Sequence, residues 1–476
     1  EQSIGDSEKI KIDRRKMETK PLRILHLNAS SAGGAFVAAQ RLNESLNKLD
    51  GVVSEHWVFE GMEGDFHLWA NTWLRKKWAV GLHALEKLDF LRFESSRKVR
   101  FAFSHGKTGI NLNQWKAIQN ADIVHLHWIN KGFVSLNGLE NLMGMGKKIV
   151  WTCHDMWPFT GGCYHPRGCE HFHRGCGNCQ YLKHPHASDL SFHVFQKKKR
   201  IFTAVAKELQ FVTPSEWLKH QAEQSGMLKR DVAQSGNSIG NHPQSKMAHK
   251  EMAQTEEFNH QQPRIPKIQV IPNPIDTDFF RPISQPESIR SEETVDAPIV
   301  LMFAAANLGN PAKGFAEFRL ICNGLVERGL SQFKALIVGE NRLPQGDLGL
   351  KCGIEALGFI SDANEMRDIY RRADIYVTTS HEENLPTTIM ESLSCGVPVA
   401  AFAVGGIPEM ISVEAENRTG WLAKKLDVDA LIQGIEQYAQ MGIAERNQIK
   451  ENCRVSAIAK YGSEAVAKQY LQVYRA

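Results

Sequence analysis

The stretch that most narrows what this chain can fold into runs from Ala373 to Ile411. An apolar, β-rich run from Ile375 to Val377 ends in a polar loop, which passes directly into a helix opened by Pro386 and stopped at Gly396. A second apolar strand, Val397 to Val404, follows. Strand, loop, helix and strand form a unit of a parallel sheet. Open sheets of this kind bind ligands at the carboxyl edge of their strands, where the loop and the helix N-terminus lie. Two carboxylates sit there eight positions apart, Glu383 in the loop and Glu391 on the helix, with no obvious basic neighbour in the sequence. The first-turn N–H groups carry about half a positive charge and suit a phosphate. A carboxylate beside a sugar accepts its hydroxyls, so this one loop has the groups to hold both ends of a nucleotide sugar. The plainer reading makes both glutamates solvated acids.

The same grammar recurs along the chain. Leu22 to Leu27 reads as a strand that feeds a loop with Gly33 and Gly34 and then a helical pattern through Leu49. Further strands are predicted at His56–Phe59, Asp122–Trp128, Lys148–Cys153, Leu209–Thr213, Ile268–Val270, Ile299–Ala305, Ala335–Gly339 and Ala356–Phe359, with helices from Asp427 to the C-terminus. Two α/β halves of alternating strands and helices result, the pattern of two Rossmann-like domains facing a central cleft. The expected division is a disordered extension over 1–20, an N-terminal domain over 21–270, a C-terminal domain over 271–455, and a helix over 456–476 packing back on the N-terminal domain. Lys229 to Pro266 is polar and nearly free of aromatics, too poor in apolar surface to offset its ordering entropy, and reads as a flexible insertion; Ser284 to Ala297 reads as a second.

Several residues carry chemistry. His154 and Asp155 stand immediately after a strand end, at the ligand edge, whereas His125 and His127 share a strand face and read as satisfied core histidines. Five of the nine cysteines lie between Cys153 and Cys179. Cys176 and Cys179 make a half-site for tetrahedral zinc that Cys163 and Cys169 complete, in competition with reduced thiols or an iron–sulfur centre. Between His67 and Phe93, Trp69, Trp73, Trp78, Leu82, Leu85 and Phe90 recur at helical spacing with Arg75, Lys76, Lys77, Lys87 and Arg92 among them. Such a helix either packs on its own domain or lies on anionic lipid.

The run ENLPTTIME from Glu383 to Glu391, followed by Gly396, Pro398 and the GGIPE of Gly405 to Glu409, resembles the glutamate, seven residues, glutamate signature of family-four retaining glycosyltransferases of the GT-B fold. It departs from the family at Asn384 and Pro386, where glycines are usual, and Pro386 has no N–H for a phosphate. The resemblance implies a donor nucleotide sugar held by the C-terminal domain. Glu383 and His154 would act at the donor sugar, and Glu391 at the ribose. Lys313, Asn384, Leu385, Thr387, Gly33 and Gly34 would complete the donor site. Relatives carry an arginine about five residues before the lysine of Lys313–Gly314; here Leu308 holds that position beside Asn307. Trp157 to Cys163, WPFTGGC, is similar to a subset associated with colanic-acid-type exopolysaccharide synthesis.

The function so implied is transfer of a sugar to a glycan or lipid-linked acceptor in polysaccharide biosynthesis, with retention and with no cofactor needed for catalysis. A nucleotide-sugar epimerase of the same fold and a non-catalytic sugar-nucleotide-binding subunit are the alternatives. A net charge of +4 argues against nucleic acid as partner, and no run of 18 apolar residues is available to span a membrane. The polar start, with Met17 as a possible native initiator, lacks a signal-peptide core. The expected location is the cytoplasm, at the inner face of the membrane.

Overall fold

The computed structural model describes residues 20–229, 265–283, 298–330, 332–340 and 348–476. The expected extension up to residue 19, most of the expected insertion at 229–266, and residues 284–297 lie outside them. Two parallel sheets organise the described residues. The first contains β1 (Leu22–Ser30), β2 (Val52–Glu60), β3 (His67–Leu68), β4 (Ile123–Leu126), β5 (Lys148–Thr152), β6 (Leu209–Thr213) and β7 (Lys267–Val270), in the order β3-β2-β1-β4-β5-β6-β7. The second contains β8 (Ile299–Asn307), β9 (Phe333–Glu340), β10 (Gly353–Gly358), β11 (Ile375–Thr378), β12 (Val399–Phe402) and β13 (Gly420–Ala423), in the order β10-β9-β8-β11-β12-β13. Each order grows outward in both directions from its first strand. The reversal falls between β1 and β4 in one sheet and between β8 and β11 in the other, and a doubly wound sheet opens its ligand crevice at that reversal.

Helices cover both sheets. The N-terminal domain carries α1 (Gly34–Leu46), α2 (Trp73–Phe90), α3 (Lys116–Asn120), α4 (Leu136–Met143), α5 (Leu190–Ala204) and α6 (Glu216–Gln224). After them come α7 (Phe315–Glu327), α8 (Ala363–Arg371), α9 (Thr387–Ser394), α10 (Ile407–Met410), α11 (Val428–Gln440), α12 (Ile443–Tyr461) and α13 (Ser463–Arg475). The strands of parallel sheets are buried on both faces, and β4, β11 and β12 are buried at every position.

The final helices divide their packing between the domains. Cys453, Ala457 and Tyr461 of α12 belong to the C-terminal core, while Val466, Tyr470 and Tyr474 of α13 join the core beneath β1, β4 and β5. The Tyr474 hydroxyl meets His125 Nδ1 at 2.7 Å, and Lys148 Nζ donates to the Val473 carbonyl at 2.6 Å. The break falls at Gly462, whose backbone leaves the helical region, rather than at residue 456. There the chain lies beside the other crossover: Ile275 N–H donates to Tyr461 O at 2.8 Å, and Ser463 N–H to Ile275 O at 3.0 Å.

The expected helix from His67 to Phe93 is shorter and begins later. His67 and Leu68 pair in register with Trp57 and Val58 as an edge strand, and Thr72 then caps α2 by accepting from Arg75 N–H at 3.3 Å.

Candidate functional site

At the reversal of the C-terminal sheet, two loops are fastened to each other. Thr379, just past β11, donates its hydroxyl to Gly314 O at 2.6 Å, and His381 N–H donates to Ala312 O at 2.9 Å. Gly314 has φ +75°, and a Cβ there would stand 1.9 Å from Thr379 O, so only glycine permits this approach. The result sets Lys313 against Glu383, Nζ to Oε1, at 2.6 Å. Glycines support the acid from the other side as well. A Cβ on Gly405 would fall 1.6 Å from Glu383 O, and one on Gly406 would fall 2.2 Å from Asn384 O. The GGIPE turn is therefore a seat for the Glu383 loop.

Beyond the loop, Pro386 sits at the N-cap of α9, so the free first-turn N–H groups begin at Thr387, which is half-buried. Leu385 is buried in the C-terminal core, which leaves its backbone rather than its side chain for ligand contact. Glu391, on the same helix, is held from two sides. Arg41 of α1 donates to its Oε1 at 2.7 Å, and the Tyr370 hydroxyl donates to its Oε2 at 3.1 Å. Neither glutamate is thus unpaired; as the lack of a basic neighbour in the sequence implies, both cations come from distant segments.

At the reversal of the N-terminal sheet the groups are neutral. His26 on β1 and His125 on β4 lie in register, with His127 just past the end of β4. His127 Nδ1 meets His154 Nε2 at 3.1 Å, and His127 Nε2 meets His26 Nδ1 at 2.9 Å. Burial pushes every imidazole of this stack down, His154 to about 4 and His26 and His127 well below the ordinary range, so all are uncharged at neutral pH. His26 Nε2, at the inner end, has no partner. An orphaned buried N–H is rarer in proteins than an unused acceptor. The relay therefore runs outward: His26 Nδ1–H donates to His127, and His127 Nδ1–H donates to His154. This leaves His154 with its proton on Nδ1. Burial also raises Asp155, which accepts from Trp157 N–H at 2.8 Å.

Polar contacts join the domains across the cleft. Besides Arg41 and Glu391, Ser215 Oγ donates to Asn384 Oδ1 at 2.7 Å, and Asn384 Nδ2 donates to His154 O at 3.3 Å. Glu409 accepts from the N–H groups of Glu216 and Trp217 at 2.8 and 2.7 Å, which places a carboxylate on the positive end of α6. A cavity of ≈ 430 Å³ opens beside these contacts, lined by Asp155, His165 to Glu170 and Trp217 on one side and by Glu383, Asn384, Gly405 and Lys425 on the other. Its size suits a small molecule. His154, Lys313, Leu385, Thr387, Glu391, Gly33 and Gly34 do not line it. Gly33 has φ +91° and opens α1 in exposed chain, whereas a Cβ at Gly33 or Gly34 would touch nothing.

The structure thus links Lys313, Glu383, Asn384 and His154 through contacts at the cleft, ties Glu391 to α1 through Arg41, and leaves the Gly33 turn open. Sequence reasoning missed Arg41 and Glu409 as links between domains. Glu409 was visible in the GGIPE run, but its partner is a helix end 193 positions away.

Residues 285–455 match the family model described as Glycosyl transferases group 1. Among curated proteins, D-inositol 3-phosphate glycosyltransferase of Segniliparus rotundus is 26% identical over 223 residues, 44% of this chain and 47% of that protein. The putative colanic acid biosynthesis glycosyltransferase WcaL of Escherichia coli is 24% identical over 166 residues, 33% of this chain and 40% of that one. The chain thus spans less than half the length of these relatives. Among solved structures, sucrose-phosphate synthase from Thermosynechococcus elongatus superposes with a TM-score of 0.57 at 16% identity, covering 95% of this chain and 98% of that one. HepE of Anabaena, in complex with UDP-glucose, gives 0.53 at 16% identity over 95% and 99%. Two Rossmann-like domains in this arrangement are the GT-B fold, as the sequence predicts.

Proposed function

We propose, from a group 1 glycosyl transferase match in the C-terminal half of a GT-B fold, that this chain transfers a sugar from a nucleotide-sugar donor to a glycan or lipid-linked acceptor. The observation that carries the reading is the Lys313–Glu383 pair at the C-terminal reversal, 2.6 Å long and with Lys313 still 39% exposed. Without ligand the two charges neutralise each other. A donor entering between them gives each a new partner, the diphosphate for Lys313 and the sugar hydroxyls for Glu383. In transfer the bond from the anomeric carbon to the phosphate oxygen breaks, and the diphosphate leaves with the electron pair. Lys313 and the N–H groups from Thr387 onward stabilise that charge, an electrostatic role that needs no metal. The acceptor hydroxyl forms the new bond and passes its proton to the departing diphosphate oxygen, with retention at the anomeric carbon as the family-four resemblance implies.

His154 presents Nδ1–H to the donor sugar as a neutral hydrogen-bond donor, held in that tautomer by His127 and His26. Glu391 keeps lone pairs for the ribose while Arg41 and Tyr370 fix its orientation. A nucleotide-sugar donor is supported by HepE, which holds UDP-glucose in the same fold, and a role in polysaccharide synthesis by the resemblance to WcaL. Contact with a membrane surface is supported by α2, where Trp73, Leu74, Trp78 and Leu88 are exposed beside Arg75, Lys76 and Lys77, and Ala79, Glu86 and Phe90 are the buried positions. No helix among the described residues is long and apolar enough to cross a membrane.

Incubation with a panel of labelled nucleotide sugars tests the reading. Slow release of free sugar and nucleotide from one donor is expected. A changed sugar still bound to its nucleotide would mean epimerisation, and binding without turnover would mean a non-catalytic subunit; either result overturns it.

A further inference from the structure

The block from Cys163 to Cys179 takes no part in the proposed transfer, yet its side chains converge. Cys163, Cys169, Cys176 and Cys179 all line one cavity of ≈ 20 Å³, room for about one water-sized sphere. All four are free thiols. The turns that carry them are held in left-handed backbone that ordinary residues avoid: Arg167 at φ +49°, Cys176 at +63° and Asn178 at +47°. Gly161 N–H donates to Cys176 Sγ at 3.1 Å, a bond that works against the burial that raises the Cys176 thiol.

A buried cation faces this group. Lys198 of α5 is fully buried; its Nζ lies 3.5 Å from the Trp157 ring centroid and donates to the carbonyls of Trp157 and Thr160. Those partners are neutral. The acidic groups that act on it are Cys163, Cys176 and Asp155, and among the described residues no ion pair links it to a carboxylate. Burial pushes its ammonium down to about 7; a buried ammonium keeps its proton beside an anion, and the thiols that act on it become anions when they bind a metal.

We propose that Cys163, Cys169, Cys176 and Cys179 form a structural tetrahedral zinc site, with Lys198 as the buried cation that offsets its charge. Binding exchanges four S–H protons for one Zn²⁺, with no oxidation, and leaves a centre of net charge −2. Zinc suits four sulfurs at about 2.3 Å, which requires neighbouring sulfurs about 3.8 Å apart. No three of these sulfurs lie within 4.8 Å of one another, so binding draws the two turns inward. The His26, His125 and His127 cluster does meet that spacing, but His26 Nε2 is its one nitrogen without a hydrogen-bond partner, which leaves too few lone pairs for a metal. The same cysteine turn supplies His165 to Glu170 to the wall of the cleft opposite Glu383. The zinc would therefore stiffen that wall without touching the reacting atoms.

Metal analysis of the purified full-length chain, reduced and passed through a desalting column, tests this independently of any transfer activity. About one zinc per chain is expected, and Co(II) added to the metal-stripped protein should give the thiolate charge-transfer and tetrahedral d–d absorption of a sulfur-ligated site. Cys176→Ser with Cys179→Ser should abolish both signals, and Lys198→Met should weaken zinc retention in a chelator competition by at least about tenfold. The cobalt spectrum of the wild-type chain decides the matter even where a cysteine variant fails to fold. Reduced protein that binds neither ion, recovery of the four thiols as two disulfides, or zinc undiminished in the double cysteine variant would each overturn the site; unchanged retention in Lys198→Met would overturn the role of the lysine.

Discussion

The two sheets reverse strand order in the same way, yet the crevices they open carry opposite electrostatics. At β8 and β11 the chain places a lysine and a glutamate in contact, both partly open to water. At β1 and β4 it places a stack of buried, neutral imidazoles. Topology thus sets where a ligand sits, and the side chains after each strand set which part of it is welcome. In the proposed transfer, the charged diphosphate sits with the first, and the uncharged sugar and its acceptor with the second.

The strongest attack on this contrast removes the charges. Lys313→Ala and Glu383→Ala should each lower donor turnover by at least about a hundredfold, the scale of a lost electrostatic contact to a developing charge, with unfolding midpoints near wild type because the pair is partly exposed. Replacing a neutral group should act differently. His127→Phe keeps an aromatic ring but removes the outward relay, so kcat should fall about tenfold or more through misplacement of His154, with donor KM little changed; His127→Gln should recover part of the loss if its amide restores the bond.

Acid separates the two crevices next. His154 and His56 are pushed to about 4 and about 3 by burial, so the folded chain binds fewer protons than the unfolded one below pH 6.5. Stability is then complete above 6.5 and falls on acidification, by about 1.4 kcal/mol per pH unit for each such histidine until its folded value is reached. Urea titrations at several pH values check the slope, and a flat profile from pH 7 to 5 would contradict the neutral stack. Arg41→Ala, which leaves part-buried Glu391 without its cation, should cost about 2 kcal/mol in the same assay. The smallest effect concerns α2: Lys76→Glu should weaken co-sedimentation with phosphatidylserine vesicles by about fivefold and leave solution turnover unchanged.

How far the sequence reached follows the range of the interactions. The run from Ile375 to Phe402 declared itself because strand, loop and helix are fixed by neighbours: Pro386 stands at the N-cap of α9 and Gly396, at φ +78°, follows its end. The GT-B architecture was legible for the same reason, repeated over eleven of the thirteen strands among the described residues; the short edge strand β3 was read as part of a helix, and β13 was not read as a strand. What sequence could not supply were contacts whose partners lie in the other domain or the other strand. Arg41 reaches Glu391 across 350 positions, and His127 meets His26 across 101. The histidines at 125 and 127 were read as core residues, and burial agrees; their order in a relay ending at His154 depends on side-chain directions that spacing does not encode. Gly33 and Gly34 looked equivalent, and the structure separates them, since Gly33 alone has a positive φ.

A crystal structure of the protein soaked with the nucleotide sugar that it hydrolyses tests the central claim most directly. The account predicts Lys313 Nζ withdrawn from Glu383 and within hydrogen-bond distance of a diphosphate oxygen, with the sugar between Glu383 and His154. A donor bound elsewhere, with the Lys313–Glu383 pair intact at its present length, would contradict it.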